Sequence, residues 1–164
     1  MTVKDAITFL DKSVSDSKAG LPEDVFYFIS RMTPFVNIDL LIKDELGRTL
    51  LSWRDDEYCG IGWHLPGGIV RFKETLETRI KKVAESEIGA EVKFEPAPVA
   101  VNEIIDKEKD IMGHFISILY KCSLLSSFVL KNKGLTEKDK GFLKWHKTCP
   151  DNLLKSQEFY RKYL

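Results

Sequence analysis

One helix and its approach constrain this chain more than any other feature. Thr75 to Ile88 reads as a helix, stopped by Gly89 as a C-cap. Counting about 100° per residue from Leu76, the residues Ile80, Val83 and Ala84 form one inward stripe, and Glu87 falls in its middle. Glu85 and Lys81 point the other way. A carboxylate on a buried face is costly unless a cation or hydrogen-bond donors compensate it. Two readings follow. Either Glu87 pairs with an Arg or Lys and helps packing, or it faces a metal ion. The approach to the helix favours the metal. Pro66-Gly67-Gly68 reads as a tight turn whose bare backbone lets a ligand come close. Its carbonyls are hard oxygen donors, and Glu74 and Glu87 add carboxylates. Oxygen-only coordination suits Mg²⁺ or Mn²⁺, which typically also binds a substrate phosphate.

The rest of the chain supplies strands around that helix. Phe35–Ile42 (FVNIDLLI) reads as a strand, KDELG as a turn, and Arg48–Trp53 as the return strand of a hairpin. Gly62–Leu65 is a short strand. Glu91–Val101 is β-like, with Pro96 and Pro98 limiting it to an edge or bulged strand. Asp106–Gly113 is a charged loop, and His114–Cys122 is another strand. Residues 131–144 are Lys-rich and loop-like. Helices are expected over 3–14, from Pro22 to before Pro34, and over 150–164. The expected class is α/β (α+β), a mixed sheet packed between helices. Residues 1–164 are expected to form a single domain, with a short helical N-terminal extension over about 1–33.

Charge narrows the partners. Twenty-five Lys and Arg balance 25 Asp and Glu, which argues against a nucleic-acid binder driven by bulk charge. A small anionic ligand held by a few local cations stays open. Cys59, Cys122 and Cys149 are widely spaced and form no CxxC pair, so free thiols in a reducing compartment are expected. The first 18 residues have the character of neither a signal peptide nor a membrane span. These features together predict a cytoplasmic protein that does not bind membranes.

Residues 68–90, GIVRFKETLETRIKKVAESEIGA, resemble the Nudix hydrolase box, G-x5-E-x7-R-E-U-x-E-E-x-G-U. Gly68, Glu74, Glu87 and Gly89 match in register, and Lys82 stands for the Arg. Val83 and Ser86 replace two of the clustered glutamates. WHLPGG just before the box is typical of the family. A box keeping only the last clustered glutamate is similar to the GDP-mannose mannosyl hydrolase branch, and TPFVNIDLLIKDELGRTLLSWR resembles that branch's opening hairpin. The resemblance implies a Nudix fold and an Mg²⁺-dependent (or Mn²⁺-dependent) hydrolase of a nucleotide or sugar nucleotide such as GDP-mannose. In that branch water attacks the anomeric carbon and GDP leaves. Most Nudix enzymes attack phosphorus instead, and a degenerate domain that binds a nucleotide without turnover is a third reading. Relatives in this branch are often dimers, so a homodimer is among the implied assemblies.

Carried over by position, the resemblance makes Glu87 the side-chain metal ligand, with the carbonyl of Gly67 or Gly68. Arg54 and Lys82 would stabilise the departing diphosphate, and Asp39 would lie near the substrate. The branch's metal-binding Gln and its His base fall on Asp139 and Lys140. Asp139 would serve as an oxygen ligand. Lys140 is a poor base unless burial lowers its pKa, and His146 is an alternative. Glu103 is a candidate for the further loop carboxylate that Nudix enzymes often use as base or ligand. His64 is placed for support near the metal loop, and His114 reads as structural. Trp63 and Phe72 flank the Pro-Gly-Gly segment and read first as packing, second as base-stacking, residues.

Overall fold

A computed structural model describes residues 1–125, 128–130 and 132–164. Lys131, at the head of the Lys-rich stretch, lies outside them. Helices α1 (Val3–Ser13) and α2 (Glu23–Ser30) precede strands β1 (Phe35–Ile42), β2 (Thr49–Asp56), β3 (Gly60–His64) and β4 (Gly67–Ile69). Helix α3 (Leu76–Val83) continues into a π-helical turn, Ala84–Ile88. Strands β5 (Val92–Phe94), β6 (Ala100–Ile105), β7 (His114–Leu124) and β8 (Leu143–His146) follow, and a 3₁₀ helix, Lys155–Tyr163, ends the described chain.

The strands form two sheets. In one, β1 lies between β4 (antiparallel) and β7 (parallel), and the far edge of β7 is shared by β6 and β5. In the other, β2 lies between β3 and β8. The expected β1–β2 hairpin is therefore not formed. The two strands share only a bridge at Lys43 and Thr49 and then enter different sheets. The reason lies in their apolar runs. Ile38, Leu40 and Ile42 pack with Leu50 against Ile80, Val83 and Ala84 on one side. Leu41, Leu51, Trp53 and Trp63 pack with Leu153 and Tyr160 on the other. Strands buried on both faces need a cover on each, and α3 and the C-terminal 3₁₀ helix supply them.

Other expectations shift in the same way. Pro66-Gly67-Gly68 is a crossing, not a turn. The chain leaves β3, passes through Leu65 and Pro66, and joins the other sheet as β4, with the Pro66 carbonyl accepting the Leu40 N–H at 2.9 Å. The segment 91–101 splits into β5 and β6 around its prolines. Strand β8 arises from residues read as loop and from the Trp145 region, because its pairing partner β2 lies about a hundred residues earlier. The last helix is 3₁₀ and shorter than expected. Helix α3 begins at Thr75, whose side chain accepts the Thr78 N–H at 3.1 Å, and Gly89 closes its π turn with φ +70°, the left-handed cap expected there. Helix α1 carries a capping box at Thr2 and Asp5 but buries no residue. Among the described residues, no helix is long and apolar enough to cross a membrane.

Candidate active site

Two adjoining clefts lie around the crossing. The smaller, about 230 Å³, is floored by β2 and β3, which contribute Ser52, Arg54 and His64. It is walled by Ser86 and Glu87 of the π turn and by Lys140 and Gly141 before β8. The larger, about 510 Å³, is lined by Asp39, Gly67 and Gly68, by Arg71, and by the aromatic rings of Phe26, Tyr27, Tyr58 and Phe115. Arg54 and His64 line both and mark the border.

Glu87 reaches the smaller cleft because the helix changes pitch beneath it. A π turn is wider than an α turn and occurs often at functional sites. It carries Glu87 from the middle of the inward stripe to its rim, where the residue is half-buried. Burial raises the Glu87 pKa above the usual carboxylate range, while Arg54 and Lys140 act against that shift. Among the described residues no cation stands within salt-bridge distance of it. Of the two readings of this side chain, the paired one is therefore not realised.

Ladder geometry distinguishes the two glycines. Leu40 N–H bonds to Pro66, and Val70 N–H bonds to Val36 at 2.9 Å. Antiparallel pairs alternate, so Gly68 opposite Ile38 is a hydrogen-bonded pair and Gly67 opposite Asp39 is not. Gly67 thus turns its carbonyl away from β1, whereas the Gly68 carbonyl belongs to the ladder. Gly67 also has no room for a side chain: a Cβ would collide with Asp39 Oδ1 and lie 2.8 Å from the Ile38 carbonyl oxygen.

Asp39 is buried and fully engaged. Its Oδ2 accepts from Ser117 Oγ and, at 2.9 Å, from Tyr160 OH; its Oδ1 accepts from Gln157 Nε2 at 3.3 Å. Burial pushes its pKa up to about 6, against the pull of these donors and of Arg54. Gln157 also accepts the Leu65 N–H at 2.8 Å. The C-terminal 3₁₀ helix therefore braces both Asp39 and the crossing. Sequence reading missed Gln157 and Tyr160, since nothing local ties them to residues more than a hundred positions away.

His64 is buried, and its Nδ1 donates to the Leu65 carbonyl at 2.7 Å. Burial pushes its pKa down to about 3, with Arg54 adding to the effect, so the ring is neutral. Arg54 donates from Nη1 to Cys59 Sγ at 3.3 Å, and its Nε stands 3.6 Å from Asp56.

Several expected site residues lie elsewhere. Glu74 is ion-paired with Arg79 (2.6 Å) and Lys82 (3.0 Å) and accepts the Arg71 N–H at 3.0 Å. Burial alone would raise its pKa, but these partners hold it below the usual range. It anchors the start of α3 and does not join Glu87. Lys82, drawn to Glu74, lines neither cleft, and Lys140 takes its place as the second cation beside Glu87. Asp139 caps its own turn, accepting from Thr136 N–H at 2.6 Å and from Thr136 Oγ1 at 2.7 Å. Glu103 stands on the exposed face of β6, 3.5 Å from His114 Nε2, opposite the face on which Ile104 lines the larger cleft. Among the described residues no three His, Cys, Asp or Glu side chains gather to hold a metal. His146 is half-buried and packs edge-on against Trp63, and Phe72 is exposed; neither they nor Trp63 lines either cleft.

Two sheets covered by helices thus carry, at their junction, a cleft in which the Glu87 carboxylate lies with Arg54 and Lys140, next to a second cleft that holds Gly67 and Gly68. Comparison with family models gives no match. The low-salt glycan biosynthesis protein Agl8 of Haloferax volcanii is 31% identical over 108 residues, covering 63% of this chain and 68% of that protein. A MutT Nudix hydrolase structure from Burkholderia pseudomallei superposes with a TM-score of 0.61 at 22% identity, covering 80% of this chain and 98% of that one. A possible asymmetric diadenosine tetraphosphate hydrolase from Jonesia denitrificans gives 0.61 at 19%, covering 80% and 92%. The chain belongs to the Nudix hydrolase family. Nudix hydrolases generally use divalent metal ions and act on small nucleotide substrates.

Proposed function

We propose that the protein is an Mg²⁺- or Mn²⁺-dependent hydrolase of a nucleoside diphosphate derivative, with a sugar nucleotide such as GDP-mannose the favoured substrate. The observation that carries it is the unpaired Glu87 carboxylate in a cleft with Arg54 and Lys140, bordering a larger aromatic cleft. The donor set fits the ion: Glu87 and the outward Gly67 carbonyl are hard oxygens, and a site with one carboxylate leaves room for water and phosphate oxygens. When bound, the ion would supply positive charge beside the departing diphosphate. Arg54 and Lys140 add fixed cations where negative charge grows, which stabilises the transition state more than the ground state. The aromatic rings of Phe26, Tyr27 and Tyr58 suit a nucleobase. The relative's place in glycan biosynthesis supports a sugar on the far side of the diphosphate. A cytoplasmic location belongs to the same proposal, in keeping with three free thiols.

Hydrolysis of GDP-mannose with Mg²⁺ in ¹⁸O-water tests the reading. Label in the sugar means attack on carbon, and label in phosphate means attack on phosphorus. Glu87→Gln is expected to lower kcat/KM at least about 100-fold and to remove its metal dependence. Unchanged metal dependence would overturn the site assignment. Val83 and Ser86, in place of two box glutamates, favour a second reading: nucleotide binding without turnover. Nucleotide binding with no hydrolysis across a panel would establish that instead.

A further inference from the structure

The floor of the smaller cleft holds two polar groups that the site so far leaves unused. Ser52 and His64 are register partners across β2 and β3, so their side chains share one face, the face that carries Arg54 two residues on. Both are almost wholly buried, Ser52 at 1% exposure and His64 at 4%. Ser52 Oγ is buried without a hydrogen-bond partner. His64 spends its Nδ1 proton on the Leu65 carbonyl, which leaves Nε2 a bare lone pair with no partner among the described residues. Buried polar groups are ordinarily satisfied, and an unsatisfied one costs about 1–3 kcal/mol. Ser52 Oγ is such a group, and the free Nε2 acceptor of His64 lines the same cleft beside it; the two are matched by a ligand atom that both donates and accepts. A phosphate oxygen only accepts and would be repelled by Nε2, so Arg54 and Lys140 take the phosphates and this pair takes something else.

We propose that Ser52 and His64 together read a hydroxyl of the substrate beside its diphosphate: the hydroxyl donates to His64 Nε2 and accepts from Ser52 Oγ. This rests on the diphosphate reading above and adds what the enzyme selects for. The hydroxyl comes from the hexose or from the ribose, and the test separates them.

Nitrogen NMR of the imidazole in the ligand-free protein at neutral pH should find Nε2 unprotonated; a proton on Nε2 overturns the proposal. GDP-mannose is then compared with its 2-deoxyhexose and 2′-deoxyribose analogues. In the wild-type protein, removing the hydroxyl that is read should lower kcat/KM about 10- to 100-fold. His64→Phe should lower kcat/KM on GDP-mannose to that level and leave the corresponding deoxy analogue unchanged. His64→Gln, which keeps an acceptor, should recover part of the loss. Ser52→Ala should lower the same preference. Equal losses on all three substrates in His64→Phe would mean packing alone and overturn the pair. If the wild-type protein hydrolyses none of them, the functional reading fails separately. Calorimetric binding then decides: tighter binding of GDP-mannose than of one deoxy analogue, abolished by His64→Phe, supports the pair, and no preference refutes it.

Discussion

At the residue scale, burial sets the charge states of two side chains in opposite directions. Asp39 holds its proton up to about pH 6, well above an unfolded aspartate near 3.9. The native state therefore binds more protons between about pH 4 and 6, and this contribution to stability falls as pH rises through that window. His64 is the reverse, at about 3 in the fold against about 6.5 unfolded. Its contribution is present above about 6.5 and is lost as pH falls toward 3. Urea midpoints measured from pH 3 to 7 should separate the two. Asp39→Asn should remove the fall between 4 and 6, and His64→Phe should remove the acid loss. Variants that keep the wild-type profile would show that neither ring nor carboxyl is shifted.

At the element scale, the C-terminal 3₁₀ helix is a brace for the site. Tyr160 OH lies 2.7 Å from Ser117 Oγ and donates a hydrogen bond to Asp39, and Gln157 ties Asp39 to the crossing at Leu65. Tyr160→Phe leaves Asp39 short of a donor in a buried place, and an expected loss of about 1–3 kcal/mol is readable in guanidinium unfolding. Strand β4 is equally constrained. Gly67→Ala places a methyl group against Asp39 and the Ile38 carbonyl, and should cost about 1–3 kcal/mol by the same measurement. Neither effect is visible from local pattern. Pro-Gly-Gly is a turn signal by composition, yet neither Gly67 nor Gly68 adopts positive φ here, because pairing with β1 holds both extended.

At the scale of the whole molecule, the first thirty residues divide by role. Helix α2 walls the larger cleft with Phe26 and Tyr27, while α1 buries nothing. Deleting residues 1–14 should therefore shift the thermal midpoint by no more than about 2 °C, measured by calorimetry. A larger fall would mean that α1 is covered by something in solution.

The caps at Thr75 and Gly89 and the inward stripe of Ile80, Val83 and Ala84 were legible in the chain itself, because helical period and capping act over a few residues. The strand segments FVNIDLLI and RTLLSW were legible too, but not their partners. The tertiary structure alone decided that β1 and β2 belong to different sheets, that Lys140 rather than Lys82 flanks Glu87, and that Glu74 is spent on Arg79 and Lys82. It alone placed Ser52 opposite His64 and Tyr160 on Asp39. Those outcomes depend on pairings between residues far apart in sequence, where packing and charge neutralisation choose among partners that local propensity leaves equal.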